Sequence, residues 1–207
     1  MSEKTAWPLP VRLIHWASAA LIIGALALGT TMVQIVQDAA ERFDLTQTHK
    51  SIGVTVLALT LLRLCVRMTT TAPPPAPLPA PMLKAAKAAH RGIYALLVVM
   101  PLSGWLMTTT TPIRVPTIVF GLFELPYPLA PDLPTYRLAH AVHVTAAILL
   151  ATLIVLHVAA ALLHALWWRD GIMLRMWPRS PLLVKRDAAV RAKRRHGEPA
   201  PPSSRVA

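Results

Sequence analysis

Apolar residues gather in four long runs along the chain, at about 11–32, 49–68, 90–108 and 142–166. At 1.5 Å of rise per residue, helical runs of this length reach across the ~30 Å hydrocarbon layer of a bilayer. In lipid every backbone N–H and C=O must be satisfied within the spanning structure, so the pattern predicts an all-α integral membrane four-helix bundle. The third run is the shortest in purely apolar residues and carries Pro101, which a packed membrane helix accommodates with a kink. Between the runs the pattern breaks. Residues 38–48 are polar and predict a short connection, with Thr46 or Thr48 capping the second helix. Residues 72–81 read APPPAPLPAP and predict an extended, non-helical linker. Residues 112–134 are mostly apolar but broken by prolines. They predict a segment lying in the membrane interface, anchored by Phe120, Phe123 and Tyr127 and able to roof a cavity.

Composition agrees with this class: 55% of residues are hydrophobic and 14% charged. A net charge of +12 would point to nucleic acid in a soluble chain, but its distribution excludes that partner. The two tails and the segment joining the second and third runs form one side, with 17 of the 21 lysines and arginines against four acids, net +13. The other side holds four bases and five acids, net −1. The positive-inside rule then places both termini in the cytoplasm, as four spans require. Residues 1–180 are expected to form one domain. The basic stretch 181–207 is expected to be disordered and to rest against anionic membrane lipids. The first run is longer than a signal-peptide core and reads as a retained span. The single cysteine, Cys65, excludes an internal disulfide framework.

Seven of the eight histidines lie in or beside a span, where an imidazole is costly unless paired. His143 and His157 are 14 residues apart on the fourth run, so they point within about 40° of one another and stand about 21 Å apart along the axis. An isolated membrane histidine is most often a helix–helix hydrogen-bonding residue. Depth changes that reading. With both termini inside, His15 and His157 fall near the cytoplasmic face, and His49 and His143 near the outer face. Two matched imidazole pairs lacking neighbouring Asp, Glu or Cys do not make closed zinc sites, which want four ligands. They suit bis-histidine haem iron, with the porphyrin filling the space between helices. With both axial positions taken, such iron transfers electrons rather than activating oxygen. Gly53 leaves room for a flat group to approach the second helix.

The remaining residues sort around those pairs. His140 competes with His143, but points about 100° away from His157, so His143 is the preferred partner of His49. His164 and His90 are expected together at the inner interface, as candidates to meet a propionate or a quinone head group. Arg12, Arg63, Arg67 and Arg175 inside, and Lys50 and Arg137 outside, are candidates for propionate contacts, although each is equally explained as a topology determinant. His196 lies in the tail. The tryptophans Trp16, Trp105, Trp167, Trp168 and Trp177 fit aromatic belts at the two interfaces.

The motifs RLIHW, HKSIG, HRGIYALLVVMPLSGW, FGLFELPYP and HVTAAILLATLIVLHVAAALLHALWWRDGIMLRMWP, in that order over 12–178, together resemble the bacterial cytochrome b561 proteins. The resemblance implies a four-helix cytochrome of the inner membrane holding two haem b groups. His15 and His157 would hold the cytoplasmic one, His49 and His143 the periplasmic one. Some members of that family resemble superoxide oxidases that reduce ubiquinone, which implies ubiquinone and superoxide as partners. His164 falls where the family has a histidine near the quinone, and His90 also matches a family position; His140 has no such counterpart. The helices are similar, too, to the cytochrome subunits of hydrogenases and formate dehydrogenases. That similarity implies an alternative, an electron-transfer subunit serving a periplasmic dehydrogenase or a soluble cytochrome. A transporter using membrane histidines is a third class, marked by the lack of a Soret band.

Overall fold

The computed structural model of the chain describes residues 6–76 and 78–178. The stretch 181–207, expected to be a disordered tail, and the expected domain boundary at 180 lie outside the described residues. Four long helices dominate: α1 (Leu9–Gln34), α2 (Ala39–Thr69), α3 (Ala80–Thr110) and α4 (Leu133–Leu162). All four are long and apolar enough to cross a membrane, α4 together with the π-helical turn Leu163–Trp168 that continues it. In the most apolar window of α4, with a mean hydropathy of 2.6, only 11% of positions are buried inside the protein, so most of its apolar surface is left for lipid.

Three helices start well before the apolar runs that announced them. Asp38 begins α2, its carboxylate accepting the Glu41 N–H at 2.8 Å, so 39–48 are helical rather than a connection. Thr46 and Thr48 are not caps; their hydroxyls donate to the carbonyls of Arg42 and Asp44 one turn back. The proline-rich linker gives up Ala80 and Pro81 to the first turn of α3, where a missing N–H loses nothing. Asp132 caps α4 by accepting the Thr135 N–H at 2.9 Å.

Packing runs α1 on α2, α2 on α3 and α3 on α4. The buried core is one residue per helix: Ile22, Val56, Leu97 and Leu150. Each lies seven residues, two helical turns, from a histidine on its own helix: His15, His49, His90, and both His143 and His157 around Leu150. An apolar layer is therefore sandwiched between two layers of imidazoles.

The outer segment carries a small antiparallel hairpin, β1 (Ile118–Val119) with β2 (Phe123–Glu124), in register Ile118↔Glu124. Phe120 and Gly121 both have positive φ, 47° and 74°, and Leu122 N–H donates to Val119 C=O, the I′ type of turn. Ser51 on α2 fastens this hairpin: its hydroxyl accepts the Phe120 N–H at 3.1 Å while donating to Gln47 C=O at 2.9 Å. Gln47 adds a bond to Pro116 C=O at 2.7 Å. Val119 is buried beneath it, and Phe120, Leu122 and Phe123 face outward.

Candidate haem sites in the bundle

The outer pair is built by α2 and α4. His49 stands opposite His143 with ring centroids 6.2 Å apart and planes at 75°. Both Nδ1 atoms are turned to backbone carbonyls on neighbouring helices: His49 Nδ1 to Ala25 O at 3.0 Å, and His143 Nδ1 to Met100 O at 2.9 Å, with Ser103 Oγ at 3.1 Å. A carbonyl only accepts, so each Nδ1 carries the proton and each Nε2 keeps its lone pair. A cavity with about 390 Å³ of atom-free space, part of it open to the outside, adjoins both rings. Gly53, Val56, Leu97 and Pro101 share its lining with the two histidines, and Gly53 faces open space, as a flat guest requires.

The inner pair is built by α1 and α4. His15 and His157 have centroids 6.4 Å apart and planes at 81°. Two imidazoles that shared one metal by Nε2, each at about 2.0 Å, would stand with their ring centres roughly 6 Å apart. Both pairs match that spacing, and among the described residues no group of three or more His, Cys, Asp or Glu is placed to hold a bare metal ion. Beside the inner pair, Arg63 lies close enough to act electrostatically on both rings, its guanidinium 5.5 Å from the centre of the Tyr94 ring. Among the described residues Arg63 Nε and Tyr94 Oη are buried with no hydrogen-bond partner, an arrangement that fits an acidic group such as a haem propionate.

The other candidates scatter. His140 is exposed and packs on Tyr136 of its own helix at 6.2 Å, away from the outer pair. His90, expected at the depth of His164, lies 5.2 Å from His157 instead, because it shares the two-turn register of the inner layer. His164 is 8% exposed in the π-helical turn, against Trp168 and 2.5 Å from the Asp170 carboxylate. Burial alone would raise that carboxyl, but hydrogen bonds from the Ile172 N–H and from His164 outweigh it and hold its pKa below 3.8. Arg12 is buried at the start of α1, and Lys50 is half-buried next to His49. Arg67 packs its guanidinium over Trp7 at 4.9 Å, and Arg175 donates to Pro74 C=O, so both have structural work at the inner end. Outside, Arg114 donates to Leu129 C=O and Arg137 is exposed. Tyr94, Ser103, Asp170, Gly29 and Gly104 were not anticipated; an i, i+7 spacing to the core residues is the signal that places His90.

Comparison with known proteins bears on this geometry. The sequence profile of prokaryotic cytochrome b561 matches residues 6–179. Cytochrome b561 homolog 2 of Escherichia coli (strain K12) is 34% identical over 167 residues, 80% of this chain and 88% of that one. A probable superoxide oxidase, CybB, of Yersinia pestis is 27% identical over 169 residues, 80% of this chain and 92% of that one.

Proposed function

The chain belongs to the prokaryotic cytochrome b561 family, a multi-pass inner-membrane haem b cytochrome of electron transfer, and on that premise we propose that it is a dihaem superoxide:ubiquinone oxidoreductase. The observation that carries the reading is the pair of imidazole couples, spaced 6.2 and 6.4 Å, one on each side of the apolar core layer. His49 with His143 and His15 with His157 would each hold one haem b by Nε2, the first near the periplasmic face and the second near the cytoplasm. Bound there, haem b would supply a one-electron iron couple. The excess of +13 on the side of the two tails supports termini in the cytoplasm.

The chain's own residues then do the rest. Two superoxide ions give up one electron each and leave as O2; one ubiquinone takes both electrons and two protons to become ubiquinol. At the outer rim Lys50, Arg114 and Arg137 attract the small anion, under a hairpin held down two residues from His49. Val56, Leu97 and Leu150 pack the middle layer with apolar side chains. Arg12, together with Arg63 and Tyr94, would meet propionates at the inner layer. At the inner interface His164, oriented by the Asp170 carboxylate, would hold a proton for a quinone head group, with His90 nearer the inner imidazole pair. Rapid mixing of the oxidised protein with superoxide should reduce it faster than a soluble bis-histidine haem control; equal rates would sink the substrate assignment.

A second reading has its own support. The family is one of membrane electron-transfer cytochromes, and the same scaffold suits an electron-transfer subunit for a periplasmic dehydrogenase or a soluble cytochrome. Co-purification of a redox partner together with indifference to superoxide would establish it.

A further inference from the structure

The two outer imidazoles are fixed by one device repeated on two helices. On α1, Ala25 offers its carbonyl to His49 Nδ1 at 3.0 Å, and four residues later Gly29 has its empty β-position 3.2 Å from His49 Cε1. On α3, Met100 offers its carbonyl to His143 Nδ1 at 2.9 Å, and four residues later Gly104 has its empty β-position 3.1 Å from His143 Cε1 and 3.3 Å from Nδ1. The register is the same in both: a carbonyl at i, a glycine at i+4, an imidazole lying across them.

Helix geometry explains the register. Every Cα–Cβ bond tilts toward the helix N-terminus, so the side chain at i+4 hangs over the turn that carries carbonyl i. A β-carbon there shields the oxygen from a partner arriving sideways, and glycine uncovers it. Other glycines in the bundle lack this relation: Gly24 faces open space, and Gly92 abuts Leu153 Cδ1.

The geometry points to Gly29 and Gly104 as positioning residues that bare the Ala25 and Met100 carbonyls, so that both outer imidazoles are held as Nδ1–H tautomers presenting Nε2 to one haem. The inference rests on the haem-ligand reading above and adds who sets the tautomer and ring angle. A donated Nδ1–H makes an imidazole a more basic ligand, which favours ferric over ferrous iron. An alanine methyl at 29 or 104 would force the ring back by a few tenths of an ångström and lengthen that hydrogen bond.

The test compares Gly29→Ala, Gly104→Ala and the control Gly24→Ala in the full-length, detergent-solubilised protein, reading haem per chain, the ferric EPR spectrum and the midpoint potential of each haem. Both test variants should perturb the same one of two haems, raising its potential and weakening its retention by roughly 10–100-fold, the usual effect of losing a ligand's orienting partner. The other haem and the control should match wild type. Unchanged potentials and EPR in Gly29→Ala and Gly104→Ala, disturbance of both haems, or an equal effect of Gly24→Ala would overturn the inference. Should neither test variant accumulate folded, Ser103→Ala decides, because it removes a second acceptor near His143 Nδ1 without adding volume; one potential must move, and none moving is fatal. A wild-type protein lacking two haems would instead defeat the haem-ligand reading itself.

Discussion

A histidine that has already given its Nδ1 proton to a carbonyl has one lone pair left to offer, and at His49 and His143 that lone pair sits on Nε2. Spacing along one helix and matched depth single out these two, with His15 and His157, as the expected ligands. What spacing could not reveal is orientation. Gly29 and Gly104 look like ordinary glycines in membrane helices until the ring that lies against each is known. If each pair holds a haem as proposed, ring planes at 75° and 81° should give the oxidised protein strongly anisotropic low-spin EPR signals; two rhombic signals of the parallel-ring kind would contradict the proposal. Asp170 makes a prediction in pH. Because its folded carboxyl lies below 3.8, its bonds to His164 and the Ile172 N–H contribute fully above that value and are lost as the pH falls through the lower, folded one. The Ile172 amide resonance should follow that loss, and Asp170→Asn should abolish the titration.

At the scale of elements, apolar runs located the four spans but not the helix ends. The helices continue into polar sequence where a cap supports them, and the Asp38-x-x-Glu41 pattern that starts α2 was present in the chain. Ala80 and Pro81 were misplaced for the opposite reason, since proline forbids helix interiors but suits a first turn. The hairpin at 118–124 was invisible because its strands are two residues each, too short for an alternating pattern. Its anchorage rests on Ser51. Ser51→Ala removes the acceptor of the Phe120 N–H, and a half-buried donor left unmatched costs about 1 kcal/mol or more. Hydrogen exchange at Phe120 should therefore quicken several-fold while the mid-helix amides of α2 stay protected; unchanged exchange at Phe120 would show that Val119 burial alone holds the hairpin down.

Across the whole molecule, the two-turn register between histidines and core residues ties the placement of the imidazole pairs to folding. Ile22, Val56, Leu97 and Leu150 form the layer that holds the four helices together, and the same layer spaces the imidazole pairs by about 21 Å along α4. Hydropathy made the four-helix bundle legible; the His90 position, beside His157 rather than His164, needed the packing of α3 on α4. The central claim is that two imidazole couples each hold one haem b, and haem quantified per chain from a reduced-minus-oxidised spectrum tests it most directly. Wild type and His140→Ala should carry two haems per chain, and His157→Ala one, whereas a single haem in wild type, or two retained in His157→Ala, would contradict the account.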